Sequence, residues 1–183
     1  MLKKIFILIS FSILLATTTF AQDTKTNAAV MDLQAREGIS AGVVSTISDY
    51  LRTQLVNTDK FVFVTRENME EVLKEQKFQL SGCTDQECIV EVGKLLGVRK
   101  MFTGSIGKVG VTYIVNIRII DVESGKIEKA ETEECAKCEE EALLISVRNI
   151  AYRIVGMQAK AATVSPDLKS QIIKNQRLRR SQQ

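Results

Sequence analysis

A single α/β (α+β) domain, with helices packed on a mixed sheet of about four to five strands, is the fold class that this sequence predicts. Three patterns predict it. Several stretches repeat apolar positions at three- and four-residue spacing, short β-branched or aromatic runs lie between them, and one long arm in the second half alternates strictly.

The elements follow in order. Ala28 to Leu33 is the right length for a first strand, after a polar, mobile start at residues 22–27. From Ile39 the apolar positions Val43, Val44, Ile47, Leu51 and Leu55 trace one face of a helix, which Asn57, Thr58 and Asp59 end. Phe61 to Thr65 reads as a second strand. A helix from about Glu67 to Lys77 would bury Met69, Val72 and Leu73 and turn Glu70, Glu71, Lys74 and Glu75 to solvent. Thr84 and Glu87 stand in capping-box relation, so a third helix should start at Thr84, with Ile89, Val92, Leu95 and Leu96 inward and Gly97 at its end.

Met101 to Ser105, a turn around Gly107 to Gly110, and Val111 to Val122 form the expected antiparallel hairpin of residues 101–122. In its second arm Val111, Tyr113, Val115, Ile117 and Ile119 share one face, and Thr112, Asn116 and Arg118 the other. The turn at Asp121-Val122-Glu123-Ser124-Gly125-Lys126 leads to a polar edge strand, Ile127 to Thr132. A last helix, about Glu139 to Val155, carries Leu143, Leu144, Val147, Ile150, Ala151 and Ile154 on one side and stops at Gly156.

Residues 1–21 have the layout of a secretory signal peptide: Lys3 and Lys4, an apolar run from Ile5 to Ala16, and small residues Thr19 and Ala21 before a cut. That run is too short to span a bilayer as a helix. No cysteine follows the cut closely, so a soluble periplasmic chain rather than a lipoprotein is expected, with a retained anchor as the alternative. The domain then occupies residues 28–160. Residues 161–183 form a basic tail, with Lys169, Lys174, Arg177, Arg179 and Arg180 against Asp167, expected to be disordered. Peripheral contact of this tail with anionic membrane lipid stays open.

The formal net charge of +3 shows no basic stripe interleaved with aromatics, so nucleic acid is not an expected partner. The chain has no histidine, which excludes Ser-His-Asp and Cys-His nucleophiles and removes the commonest metal ligand. Gly104-x-x-Gly107-x-x-Gly110 lacks the strand-to-helix setting of a phosphate loop and reads as turn chemistry. No cofactor is expected.

Several strings, in this order and spacing, resemble the curli production assembly/transport component (CsgG-type) family. They are Gly38-Ile39-Ser40, Phe61-Val62-Phe63-Val64-Thr65-Arg66 and Val72-Leu73-Lys74-Glu75-Gln76, then Lys94-Leu95-Leu96-Gly97-Val98, Phe102-Thr103-Gly104-Ser105-Ile106-Gly107 and Ile119-Ile120-Asp121-Val122-Glu123-Ser124-Gly125-Lys126. The resemblance implies a three-layer periplasmic fold, similar to the TolB amino-terminal domain and to activator domains of penicillin-binding proteins, and it implies no catalytic residues. Curli channels are lipoproteins with long barrel-forming strands. This chain departs from both features, so a pore is not expected.

Four cysteines remain. Cys83 and Cys88 would sit at the two positions of a hydrophobic staple, N′ and N4, and pairing Cys83 with Cys88 and Cys135 with Cys138 gives two short disulfide loops. A zinc site of all four thiolates is an alternative. So is redox chemistry at Cys135-x-x-Cys138, although Glu133, Glu134, Glu139, Glu140 and Glu141 disfavour a thiolate there. The expected function is a non-enzymatic periplasmic module that binds another envelope protein. The alternative is a thiol-disulfide oxidoreductase using Cys135 and Cys138, and a ring-forming secretion subunit, a homo-oligomer, is a third reading.

Overall fold

The computed structural model describes residues 25–76, 83 and 85–159. The expected leader (1–21), half of the start (22–27) and the basic tail lie outside these residues, as do Lys77 and Thr84.

The strands are β1 (Thr26–Val30), β2 (Gln34–Ala35), β3 (Phe61–Phe63), β4 (Lys100–Val109), β5 (Thr112–Asp121) and β6 (Ile127–Ala136). The helices are α1 (Ala41–Asn57), α2 (Arg66–Glu75), α3 (Gln86–Leu95) and α4 (Leu143–Ile154), the last preceded by a 3₁₀ turn at Glu140–Ala142. They form one open mixed sheet in the order β3-β1-β4-β5-β6, with β2 also pairing with β4. β1 runs parallel to both β3 and β4, whereas β4, β5 and β6 are antiparallel.

The parallel part is buried on both faces, so β1 reads as an apolar run: Ala28, Ala29 and Val30 are all buried. Even and odd positions of β1 and β4 feed different cores. Ala28, Val30, Phe102 and Ile106 meet α1 and α4 through Leu51, Leu55, Leu143, Val147 and Ile150, joined by Val115 and Ile117 of β5. Ala29, Met31, Met101 and Ile120 meet α2 and α3 through Met69, Leu73, Ile89 and Val92. The helices thus make two outer layers around the sheet, as the amphipathic spacing requires.

Several boundaries depart from the sequence reading. β1 begins at Thr26, because Thr26 and Asn27 pair with Phe61 and Val62. β3 ends at Phe63, and Thr65 instead caps α2 by accepting from the amide of Asn68 at 3.2 Å. The sheet has six strands, since the short β2 escapes any periodicity test. Gly107 lies within β4, where Arg36 passes so close that an added Cβ would sit 2.9 Å from that of Arg36. Only Gly110, with φ +58°, belongs to the turn, beside an exposed Val111 that does not join the inward face of β5. β6 runs on to Ala136, and α4 begins at Leu143 rather than Glu139.

The start of α3 also differs. Its N-cap is Asp85, whose Oδ1 accepts from the amide of Cys88 at 2.8 Å, not Thr84. That shift moves Cys83 two positions ahead of the cap and Cys88 to the third helical position, so the two do not occupy the staple positions.

Candidate functional site

The cysteines lie at two separate places. Cys83 and Cys88 are bonded to each other and tie the segment before α3 to its first turn, against the core built on α2 and α3. Cys135 and Cys138 are bonded across the end of β6, against the opposite core. Because the pairs pack on different faces of the sheet, the four sulfurs do not converge on a shared tetrahedral site. No group of three or more potential metal-ligating side chains occurs among the described residues.

The second bridge also ties the hairpin down. Lys137, inside its loop, takes a left-handed φ of 53° and donates its amide to the carbonyl of Val111 at 2.9 Å. Cys138 stands five residues ahead of α4, so the positive end of that helix does not act on its sulfur. This geometry, with both pairs oxidised, does not favour thiol-disulfide catalysis.

Charged groups gather in three places. At the β5–β6 turn, buried Asp121 accepts from Lys100 Nζ at 2.8 Å, from Arg99 and from the amide of Ser124 at 2.8 Å. Lys100 foremost, then Arg99 and Ser124, hold its carboxyl far below the usual range. Glu123 and Glu128 complete the cluster through Arg99 and Lys100.

At the carboxyl ends of β1 and β3, Asp32 pairs with Arg52 and Arg66, and Asp49 pairs with the same two arginines. Glu70 completes this set on Arg66 at 2.9 Å. The cluster joins α1 and α2 to the sheet from opposite layers and leaves neither guanidinium unpaired. On the α4 side, Arg153 reaches Glu131 and Glu133 of β6, both at 2.7 Å, and the Thr132 carbonyl. Arg153 is the chief cause of the lowered pKa of Glu131.

The far half of the other sheet face has no described helix on it. There Ala130, Thr132, Glu134 and Ala136 of β6 and Asn116 of β5 are exposed. Sequence reasoning pointed to none of these charged clusters. The Asp-x-x-Ser-Gly spacing of a turn was the available signal for Asp121, since Ser124 and Gly125 bond back to it. Asp32, Arg52 and Arg66 are too far apart in sequence to announce one another.

A parallel β1 flanked by crossovers on opposite faces and followed by a long meander is the framework. The family model "Curli production assembly/transport component CsgG" matches residues 11–112, more than half of the 183-residue chain. This chain belongs to the CsgG family. Among solved structures, the CsgG-family chain is similar to the LpoB C-terminal domain from Salmonella enterica, at 13% identity and TM-score 0.53 over 63% of this chain and 87% of that one. The LpoB C-terminal domain from Escherichia coli gives 13% identity and TM-score 0.54 over 61% and 82%. Lipoprotein GNA1162 from Neisseria meningitidis gives 12% identity and TM-score 0.50 over 76% and 99%. At these identities the likeness is one of fold. No curated protein matches the chain.

Proposed function

We propose that this CsgG-family chain is a non-enzymatic protein-interaction module of the bacterial envelope, exported to the periplasm and freed from its leader after Ala21. The observation that carries the reading is family membership in a group described by curli production, assembly and transport. The shared fold of the LpoB C-terminal domain and of lipoprotein GNA1162 supports it. The leader-like residues 1–21 supply the route, and the two disulfides suit an oxidising compartment. The first cysteine after Ala21 is Cys83, far from any lipidation position, so the exported chain is read as free of lipid.

Affinity capture of the tagged chain from envelope extract of its native host tests the reading. A protein partner that recurs across replicates and is absent from an untagged control is expected. Capture of the chain alone would refute it. Insulin-reduction activity that disappears on Cys138→Ser would revive the oxidoreductase alternative.

A further inference from the structure

The half of the sheet face on which no described helix lies holds two adjoining cavities of about 200 and 220 Å³ that share Arg36, Ser105 and Asn116, and so form one groove. Its floor is β4 and β5, with Ser105 opposite Asn116 and Gly107 opposite Ile114. Ser105 and Ala130 keep the floor low, and Gly107 admits the close passage of Arg36.

The two ends of the groove differ. Arg118 stands at one end, and Arg36, which lines both cavities, stands nearer the middle. Arg52, Arg66, Arg99 and Arg153 each lie in an ion pair, whereas Arg36 and Arg118, like Arg148 on α4, have no carboxylate partner among the described residues. Arg36 spends one N–H on the Gln34 amide oxygen at 2.7 Å. Between them, Thr132 Oγ1 donates to Asn116 Oδ1 at 2.7 Å, which occupies the amide oxygen and leaves the N–H₂ of this exposed side chain as a donor. At the other end are Ile114 and Val109, the latter 70% exposed. Glu37 lines that end and Glu134 pairs with Ile114 there, whereas Glu131, which lines the Arg118 end, is held by Arg153 and Lys129, so negative charge is drawn toward Arg118 and Arg36. Lys108 is already engaged with the ring and hydroxyl of Tyr113.

The geometry points to this groove as the docking site for an extended acidic peptide segment of a partner protein, with a carboxylate on Arg36 and Arg118 and an apolar side chain on Ile114 and Val109. The planar forks of two unpaired guanidinium groups suit carboxylate oxygens, and the Asn116 amide donates to a peptide carbonyl. The apolar end gives the segment a direction. The inference rests on the reading of the chain as a protein-interaction module and adds to it a surface and a ligand chemistry.

The test is selection of a displayed random dodecapeptide library on the purified full chain, beside the R36E/R118E and R36A/R118A variants. Enriched sequences are expected to carry Asp or Glu next to aliphatic residues and to bind both variants at least about tenfold more weakly, with tighter binding at low salt. The neutral variant guards against a charge reversal that disturbs folding, and thermal melts of both should match the parent. Enrichment of no family, of non-acidic sequences, or of acidic sequences that bind the variants equally would overturn the assignment. So would binding of anionic vesicles or acidic polysaccharide that needs the two arginines while no peptide does. Envelope capture with R36E/R118E separates the two claims: a partner retained by the variant sinks the groove alone, and a partner missing from both proteins sinks the module.

Discussion

Asp121 carries more of the local structure than any other charged residue described. Its carboxylate receives Lys100, Arg99 and the Ser124 amide while its own amide and carbonyl close the β5–β6 turn with Lys126 and Gly125. Because those contacts depress its pKa in the folded state, the stability it adds is present above the ordinary value of 3.8 and is lost as pH falls below it. Glu131, also depressed, acts in the same direction. Asp121→Asn should therefore lower the melting temperature at neutral pH and flatten its fall between about pH 4 and pH 2. Equal steepness in variant and parent, followed by circular dichroism, would count against this assignment. Gly93 is a second residue whose role is steric: a Cβ there would meet Val122 at 2.5 Å and Met101 at 2.9 Å, so α3 lies flush on the sheet only through a glycine. The local turn spacing announces only the Ser124 and Gly125 bonds of Asp121; its Lys100 and Arg99 contacts, and the role of Gly93, depend on what another element brings up against the residue.

At the scale of elements, amphipathic period and strand alternation were legible. The faces of α1 and α4, apart from an exposed Leu144, and the inward set Tyr113, Val115, Ile117 and Ile119 follow the apolar spacing, because burial against a sheet is what that spacing serves. Ends were less legible, and for physical reasons. At the head of α3, Thr84 and Asp85 both qualify as caps by residue type, and only the bond from the Cys88 amide to Asp85 decides between them. In the hairpin, Gly107 looks like turn chemistry but serves the close passage of Arg36. Cys83–Cys88 closes a loop of sequence separation 5, which restricts the unfolded chain only modestly. Replacing both with serine should cost about 2 kcal/mol in chemical denaturation, at the low end for a disulfide. A loss below about 0.5 kcal/mol would mean that the bridge does not constrain the unfolded chain in the way a native loop does.

For the whole molecule, the three-layer architecture and the family were readable from the order of the strings, whereas the candidate groove was not. Its Arg36, Asn116 and Arg118 come together only because β2 pairs with β4 beyond the end of β1, a contact of two residues that leaves no periodic trace. The groove exists because α2 and α3 are short, ten residues each, and cover only the Met101 and Ile120 end of their face. Helix length can be read from a sequence, but which half of a sheet a helix covers depends on packing. The account rests on export to an oxidising compartment. Intact mass of the chain isolated from its native host, with and without reductant, tests that premise most directly. The account predicts a chain beginning at Gln22, free of lipid, that gains the mass of four hydrogens on reduction. A chain that retains residues 1–21, carries a lipid, or keeps the same mass after reduction would contradict it.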